Sequence, residues 1–348
     1  MPAYDLIVIG QGLAGTTLAW TALQHGLTVQ ILDRGSHRTA SRVAAGLITP
    51  ITGLRMAITW QLDRLLHQAE QFYRHMELVL ERPLYVKRPA IRIFLDRSER
   101  ELLERKSRDW PGEVTLMAPE AIPGIACPQG GFAMNRAARL HVTDYLDASR
   151  SWFRQQLAYT EADIDPVTDI VPSENGVLLP RLGLSSRWLV FCQGYEPANP
   201  WFPQIPFEPA KGEILTLEIP SWNDDRVIHG HGLWLAPSGE NIVRVGATYD
   251  LDRLDDLPTQ EGQAELLDRL RRFFPGDFTV IGHEAAVRPI VRSRKPLIGR
   301  HDRWPCLGLF NGLGSKGALA APDAAVGLIR HLRDGVRIAP ELSLNSLL

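Results

Sequence analysis

Leu6–Ile7–Val8–Ile9 is apolar at every position, a glycine-rich turn follows, and the chain from Leu13 onward is again small or apolar. The next such run, Thr28–Val29–Gln30–Ile31–Leu32, closes on Asp33. Continuous apolar runs bounded by glycine suit strands buried on both faces, so residues 4 to 33 read as a strand–helix–strand unit. Ser41 to Met56 is rich in small residues and lacks a sustained period, which predicts an ordered loop beneath a ligand. Trp60, Leu62, Leu65, Leu66, Ala69, Phe72, Tyr73, Met76 and Leu80 then recur at helical spacing and predict a long amphipathic helix with its aromatic residues in the core.

Further along, Val86 to Leu95 and Gly131 to Met134 read as strands. The helix between them opens with a capping box of Ser98 and Glu101, and another helix covers about Val142 to Leu157. Arg187 to Cys192 reads as a buried strand ending at Gln193–Gly194, and Pro197, Pro200, Pro203, Pro206 and Pro209 mark a crossing between domains. Glu213 to Ile219, Gly232 to Ala236 and Ile242 to Ala247 are strand-like and separated by turns, which predicts an antiparallel sheet. A helix from Gln260 to Phe274, capped by Thr259, precedes a last strand at Cys306 to Phe310 and a final helix through Leu332.

These elements describe an α/β fold: a Rossmann-like dinucleotide-binding domain interrupted by a second, mainly antiparallel β-sheet domain with flanking helices. The reading places residues 1–80, 138–204 and 286–348 in the first domain and 81–137 and 205–285 in the second. A chain of 348 residues suits two domains, since one core seldom grows past about 250–300 residues. The net charge of −2 argues against a nucleic-acid partner, and Arg292, Arg294 and Lys295 read as a solvated loop. With no charged leader and no stretch near the length of a membrane span, a cytoplasmic location is expected. Cys127, Cys192 and Cys306 form no CxxC pair, and His229 and His231, at i and i+2 on a strand, lack a third ligand, so no metal is expected.

The first turn carries the clearest chemistry. Gly10 lets the chain turn, Gly12 admits a pyrophosphate against bare backbone, and Gly15 lets the helix sit close on the sheet. The amides around Leu13 and Ala14, with the helix dipole, then face the phosphates. Asp33, at the end of the second strand, suits the two hydroxyls of an adenosine ribose and repels a 2′-phosphate.

The runs Ala286–Val287–Arg288–Pro289 and Asn311–Gly312–Leu313–Gly314–Ser315–Lys316–Gly317, taken with the clamp, Lys211–Gly212–Glu213 and Gly246, resemble the D-amino acid oxidase superfamily in order across nearly the whole chain. Within it the chain looks like glycine oxidase, sarcosine oxidase and the oxidase domain of the bifunctional bacterial enzyme that matures wobble uridines in tRNA. The resemblance implies FAD and oxidation of the C–N bond of an amine or amino acid to an imine, by hydride transfer to flavin N5 and reoxidation by dioxygen or another acceptor. Gly10, Gly12, Leu13, Ala14 and Gly15 would hold the pyrophosphate, Asp33 the ribose, and the Val167 amide the adenine. Arg34, Ser41, Arg42, Ala45 and Gly46 would lie along the ribityl and phosphates, with Gly194 a second backbone approach. Arg42 departs from the small residue usual there, and either a phosphate contact or a surface ion pair suits it. Gly312, Gly314, Ser315 and Gly317 would present amides to the flavin edge where negative charge collects.

By the same resemblance Arg288 anchors a substrate carboxylate, Lys316 faces substrate and flavin, and Arg55 lies over the flavin. No cysteine occupies the position that bonds covalently to flavin in sarcosine oxidase, so a noncovalent cofactor is expected. Two other readings stay open: a stand-alone relative of the tRNA-modifying oxidase, marked by a basic crescent at the pocket mouth, and a FAD-holding scaffold without catalysis, marked by a plugged pocket. The amine, the acceptor and the oligomeric state are left open.

Overall fold

Val8, Ile31 and Val190 are fully enclosed, and they mark the centre of the first sheet. In the computed structural model, which describes residues 3–196, 199–220 and 222–344, strand Ala3–Ile9 runs parallel to Val29–Asp33 on one side and Leu184–Phe191 on the other. Tyr159–Glu161 extends the sheet beyond Val29–Asp33, and Leu307–Asn311 joins the far edge of Leu184–Phe191, both in parallel. Five strands therefore end on one rim, where the connections leave on either side of Ala3–Ile9. Such a switch point is where open α/β sheets bind ligands. Pro197 of the proline run lies outside the described residues.

Helices Leu13–Gln24 and Gly317–Asp334 cover one face of this sheet. Helix Leu62–Leu80 packs there too, burying Leu62, Leu65, Ala69, Phe72, Tyr73 and Met76, so its predicted stripe is the buried one. Trp60 stands outside the helix, because Gln61 adopts a left-handed conformation before it, and the Lys295 ammonium lies 4.6 Å from the centre of its ring.

The second sheet has eight strands, with Thr279–Arg288 at one edge, then Ala210–Glu218, Ile242–Gly246 and Leu233–Gly239. It is antiparallel except where Ile228–Gly230 meets Ala90–Ile93. The predicted strand Val86 to Leu95 is two strands in different sheets: Tyr85–Lys87 pairs with Ala138–Leu140, and Ala90–Ile93 pairs with Gly131–Met134. The following helix is capped by Asp96, which accepts from Glu99 N at 3.0 Å while Glu99 accepts from Leu95 N at 3.0 Å. The capping pair is thus two residues earlier than Ser98 and Glu101; both pairs share the spacing, and only where the chain leaves extended geometry decides between them.

Helix Gln260–Arg271 is capped by Thr259 as expected, and a buried carboxylate holds that cap. Glu213 accepts from Thr259 N and Oγ1 at 2.9 and 2.8 Å. Beside it the fully buried Lys211 ammonium lies 2.6 Å from Asp255. Together these contacts fix the start of the helix to the sheet.

His229 lies in strand Ile228–Gly230, but His231 lies beyond it, at φ +49, and stacks on Phe273 with ring centres 5.6 Å apart. The two imidazoles are not on one strand face, which was the arrangement expected. Among the described residues no group of three His, Cys, Asp or Glu is placed to hold a metal. Burial first, and then the Arg92 guanidinium, hold the His229 imidazole down to about 4. Between about pH 6.5 and 4 the unfolded chain therefore takes up a proton that the folded chain does not, and stability falls on acidification. Urea unfolding of native protein and His229→Gln near pH 7 and near pH 4 should show the native protein losing up to ~3 kcal/mol more. Equal losses would remove His229 from the acid response.

Candidate active site

Three glycines of the first turn differ in what requires them. Gly10 has φ +100, and a Cβ there would lie 2.7 Å from the Cys192 carbonyl oxygen. At Gly15 a Cβ would lie 1.8 Å from the Gly10 carbonyl oxygen, so the fold itself excludes a side chain at both positions. Gly12 has φ −77, and its added Cβ would meet only Ser41 Oγ at 3.1 Å and Ser41 Cβ at 3.8 Å. Nothing internal demands glycine at that point; what it provides is a bare helix mouth. The first turn of that helix carries no acidic residue, and Leu13 N donates to Ser41 Oγ at 2.9 Å. Its remaining first-turn amides and the positive end of the dipole suit an anion.

Asp33 reaches this mouth from the neighbouring strand end. Its carboxylate accepts from Gln11 N at 2.7 Å and Gly35 N at 2.8 Å, while Arg150 lies 3.4 Å away and also donates to the Gln11 side chain. Arg42 pairs with Asp147 at 2.5 Å, the ion-pair alternative of the two considered for it. Arg34 lies 3.9 Å from Glu196 and is largely exposed. Val167 is exposed as well, and its amide donates to Asp165 Oδ1 at 2.8 Å.

The loop after Ser41 is held from two places, the second sheet through Arg244 and the strand Ala138–Leu140 through Arg139. Arg244 donates to Val43 O at 2.9 Å and Arg139 to Ala45 O at 3.0 Å. Gly46, at φ +69, has no room for a Cβ, which would lie 1.9 Å from Leu140 O. Two distant arginines thus order a segment whose small residues have little side-chain packing of their own.

A second helix mouth abuts the first. At Gly317, the first residue of the last helix, a Cβ would lie 2.9 Å from Leu13 Cδ2, so glycine lets the two helices start side by side. Gly312 and Gly314 both have positive φ, and Gly314 N donates to Pro289 O at 3.3 Å. Asn311 Nδ2 donates to Gly194 O at 2.7 Å, joining two strand ends beneath the loop. Ser315 is exposed, whereas Lys316 is half-buried, donates to Thr59 Oγ1 at 3.1 Å, and has its ammonium pKa lowered by desolvation.

Because Gly314 rests on Pro289, this loop lies next to Arg288. The Arg288 guanidinium reaches only long backbone acceptors, Lys211 O at 3.4 Å and Thr248 O at 3.3 Å, with the Tyr249 ring centre 5.8 Å away. Among the described residues no carboxylate pairs with it, and desolvation lowers its pKa. Gly212 makes its position possible, since a Cβ there would lie 2.0 Å from Arg288 Nη2. Arg55 stands exposed in the turn between Ile51–Thr52 and Ala57–Ile58, where its carbonyl accepts from Lys106. No hydrogen bond or ion pair among the described residues joins Arg55 to Arg288 or Lys316. Sequence reasoning missed Arg150, Arg139, Arg244, Thr59 and Tyr249, none of which sits in a motif; each acts through a contact made by folding.

Residues 5–328 match the family model described as FAD dependent oxidoreductase. The chain belongs to that family. Its cofactor is FAD, and the residues present fit it: a bare mouth at Gly12, a carboxylate at Asp33 and a second mouth at Gly317. The chain is 22% identical over 353 residues to the tRNA 5-methylaminomethyl-2-thiouridine biosynthesis bifunctional protein MnmC of Hahella chejuensis, covering 92% of this chain and 53% of that protein. It spans about half the length of the first curated relatives it matches. It is 27% identical over 357 residues to the putative thiamine biosynthesis oxidoreductase ThiO of Rhizobium etli, covering 94% of this chain and 96% of that one. The crystal structure of glycine oxidase from Geobacillus kaustophilus superposes with a TM-score of 0.80 at 18% identity, over 97% of this chain and 96% of that chain. The expected α/β fold and D-amino acid oxidase resemblance are thereby borne out, and the chain is an oxidoreductase. Among the described residues no helix is long and apolar enough to cross a membrane.

Gly12 and Gly15 separate cofactor binding from folding. Gly12→Val should fold with a near-native melting curve yet bind FAD at least ~100-fold more weakly, read from its flavin absorbance. Gly15→Val should instead lose ~3 kcal/mol or more of stability, because the Gly10 carbonyl cannot move aside. A fully yellow Gly12→Val protein would show that the mouth is not the pyrophosphate site.

Proposed function

We propose that this oxidoreductase converts a small amine or amino acid bearing a carboxylate to its imine, which water then hydrolyses, with dioxygen as the electron acceptor. The observation that carries this reading is Arg288: a half-buried guanidinium with two long contacts to carbonyls and no carboxylate partner among the described residues. A charge so placed is costly unless paired, and a substrate carboxylate would answer it with two parallel hydrogen bonds. FAD, when bound, supplies the hydride acceptor. Arg288 orients the substrate by its carboxylate, Tyr249 borders the same guanidinium, and the buried Thr248 holds the strand by accepting from Glu213 N at 2.9 Å. Lys316, fixed by Thr59 beside the second helix mouth, supplies positive charge where electrons arrive.

The likeness to the tRNA-modifying bifunctional protein favours a second reading, with the amine carried on tRNA. A carboxymethylaminomethyl group is itself an N-substituted glycine, so Arg288 would serve it in the same way. Free amino acids and modified tRNA tested side by side separate the two.

Rapid-mixing reduction of FAD-loaded variants tests the residue roles. Arg288→Ala should weaken binding of a carboxylated substrate by about 2–5 kcal/mol, while amines without a carboxylate are bound as in the native enzyme. Lys316→Met should slow flavin reduction and leave substrate affinity close to native. Native affinity and native reduction rate in both variants would remove both residues from the site.

A further inference from the structure

One edge of strand Leu184–Phe191 is shared by two neighbours that never meet. Gly176–Leu179 pairs with its first residues as far as Ser186, and Leu307–Asn311 begins only at Leu189. The neighbours diverge at Arg187 and Trp188 and open a cleft of about 310 Å³. This fork lies toward the amino ends of the parallel strands, away from the rim that carries the glycine mouths.

Two guanidinium groups line it. Arg300 donates through Nη2 to His331 O and Leu332 O, both at 2.6 Å, which ties it to the last turn of the final helix. Its Nε is buried without a hydrogen-bond partner. The Arg187 guanidinium lies 4.1 Å from the centre of the Trp188 ring. Burial and the nearby Arg187 both lower the Arg300 pKa, as expected for two cations facing one space. Among the described residues neither arginine forms an ion pair. Glu174 is the one acid on the wall, and it stands exposed beside Asn175 on the hairpin turn.

We propose that this fork binds a phosphate group, either free or carried by a small metabolite, at a site separate from the pyrophosphate clamp. The exposed Arg187 offers a fork that matches phosphate oxygens in geometry as well as charge, and Arg300, whose Nη2 is committed to two carbonyls, adds its Nη1. Two guanidiniums from different strands suit a tetrahedral anion with several oxygens, whereas a carboxylate is filled by one fork. The tether holds Arg300 before any ligand arrives, which lowers the ordering cost of binding, and the Trp188 ring gives the exposed Arg187 a platform. The cleft is larger than an inorganic ion needs, leaving room for the body of a phosphate ester. This inference does not depend on the amine chemistry.

Calorimetric titration of the FAD-loaded full-length chain, whose pyrophosphate clamp is already filled, tests it with inorganic phosphate and with ribose 5-phosphate. Saturable one-to-one binding is expected, at least tenfold weaker in Arg187→Ala and tighter in Glu174→Gln. Tighter binding of the ester would assign a phosphorylated metabolite, and equal binding would assign free phosphate. Arg187→Ala should keep the native melting temperature without phosphate and lose the rise that phosphate gives the native protein. No saturable binding of either compound, or equal binding by native protein and Arg187→Ala, would overturn the proposal.

Discussion

The site depends on how closely two helices can begin. Leu13–Gln24 and Gly317–Asp334 lie together on one face of the sheet, and the absence of a side chain at residue 317 lets Leu13 occupy the space between their first turns. Two sets of unpaired amides and two positive dipole ends thus come together, an arrangement that is unfavourable without an anion nearby. FAD has its anionic pyrophosphate in the middle and a ring that gains negative charge on reduction. In the proposed binding mode one constraint on packing serves both halves of the cofactor. A Cβ at residue 317 would press on the Leu13 side chain between the two mouths, beside the loop that rests Gly314 on Pro289.

Charge on the second sheet is handled in two opposite ways within a few residues. Lys211 and Glu213 are buried but satisfied, the lysine by Asp255 and the glutamate by the cap of helix Gln260–Arg271. Arg288, paired in register with Ala210 and reaching across Gly212, has no such partner among the described residues. The satisfied pair stabilises the scaffold, and the guanidinium without a carboxylate partner is the one proposed to take a ligand. The same Lys–Gly–Glu segment does both, with its two charged side chains anchoring the strand and its glycine making room for the arginine.

Local features were legible in the sequence because their causes are local. The strand–turn–helix at Gly10 to Gly15, the stripe of helix Leu62–Leu80 and the Thr259 cap each rest on residues within a few positions of one another. What escaped notice is nonlocal. Arg150 meets Asp33 across 117 positions, and Arg244 holds Val43 across 201. No periodicity encodes such contacts. Asp96 and Ser98 carry equivalent capping signals, and the choice between them is made where the preceding strand ends. His229 and His231 share a period of two that reads as one strand face, yet the strand stops between them and His231 turns onto Phe273.

The proposed chemistry needs a flavin held beside an arginine that takes a carboxylate. Anaerobic mixing of the purified yellow protein with small primary and N-substituted amino acids, followed by admission of air, tests this most directly. Bleaching of the visible flavin band by a carboxylated amine, slower or absent with its decarboxylated analogue, and recolouring in air with release of hydrogen peroxide, is the predicted result. A flavin that keeps its colour with every carboxylated amine, free or tRNA-borne, or that bleaches equally well with the decarboxylated analogues, would contradict it.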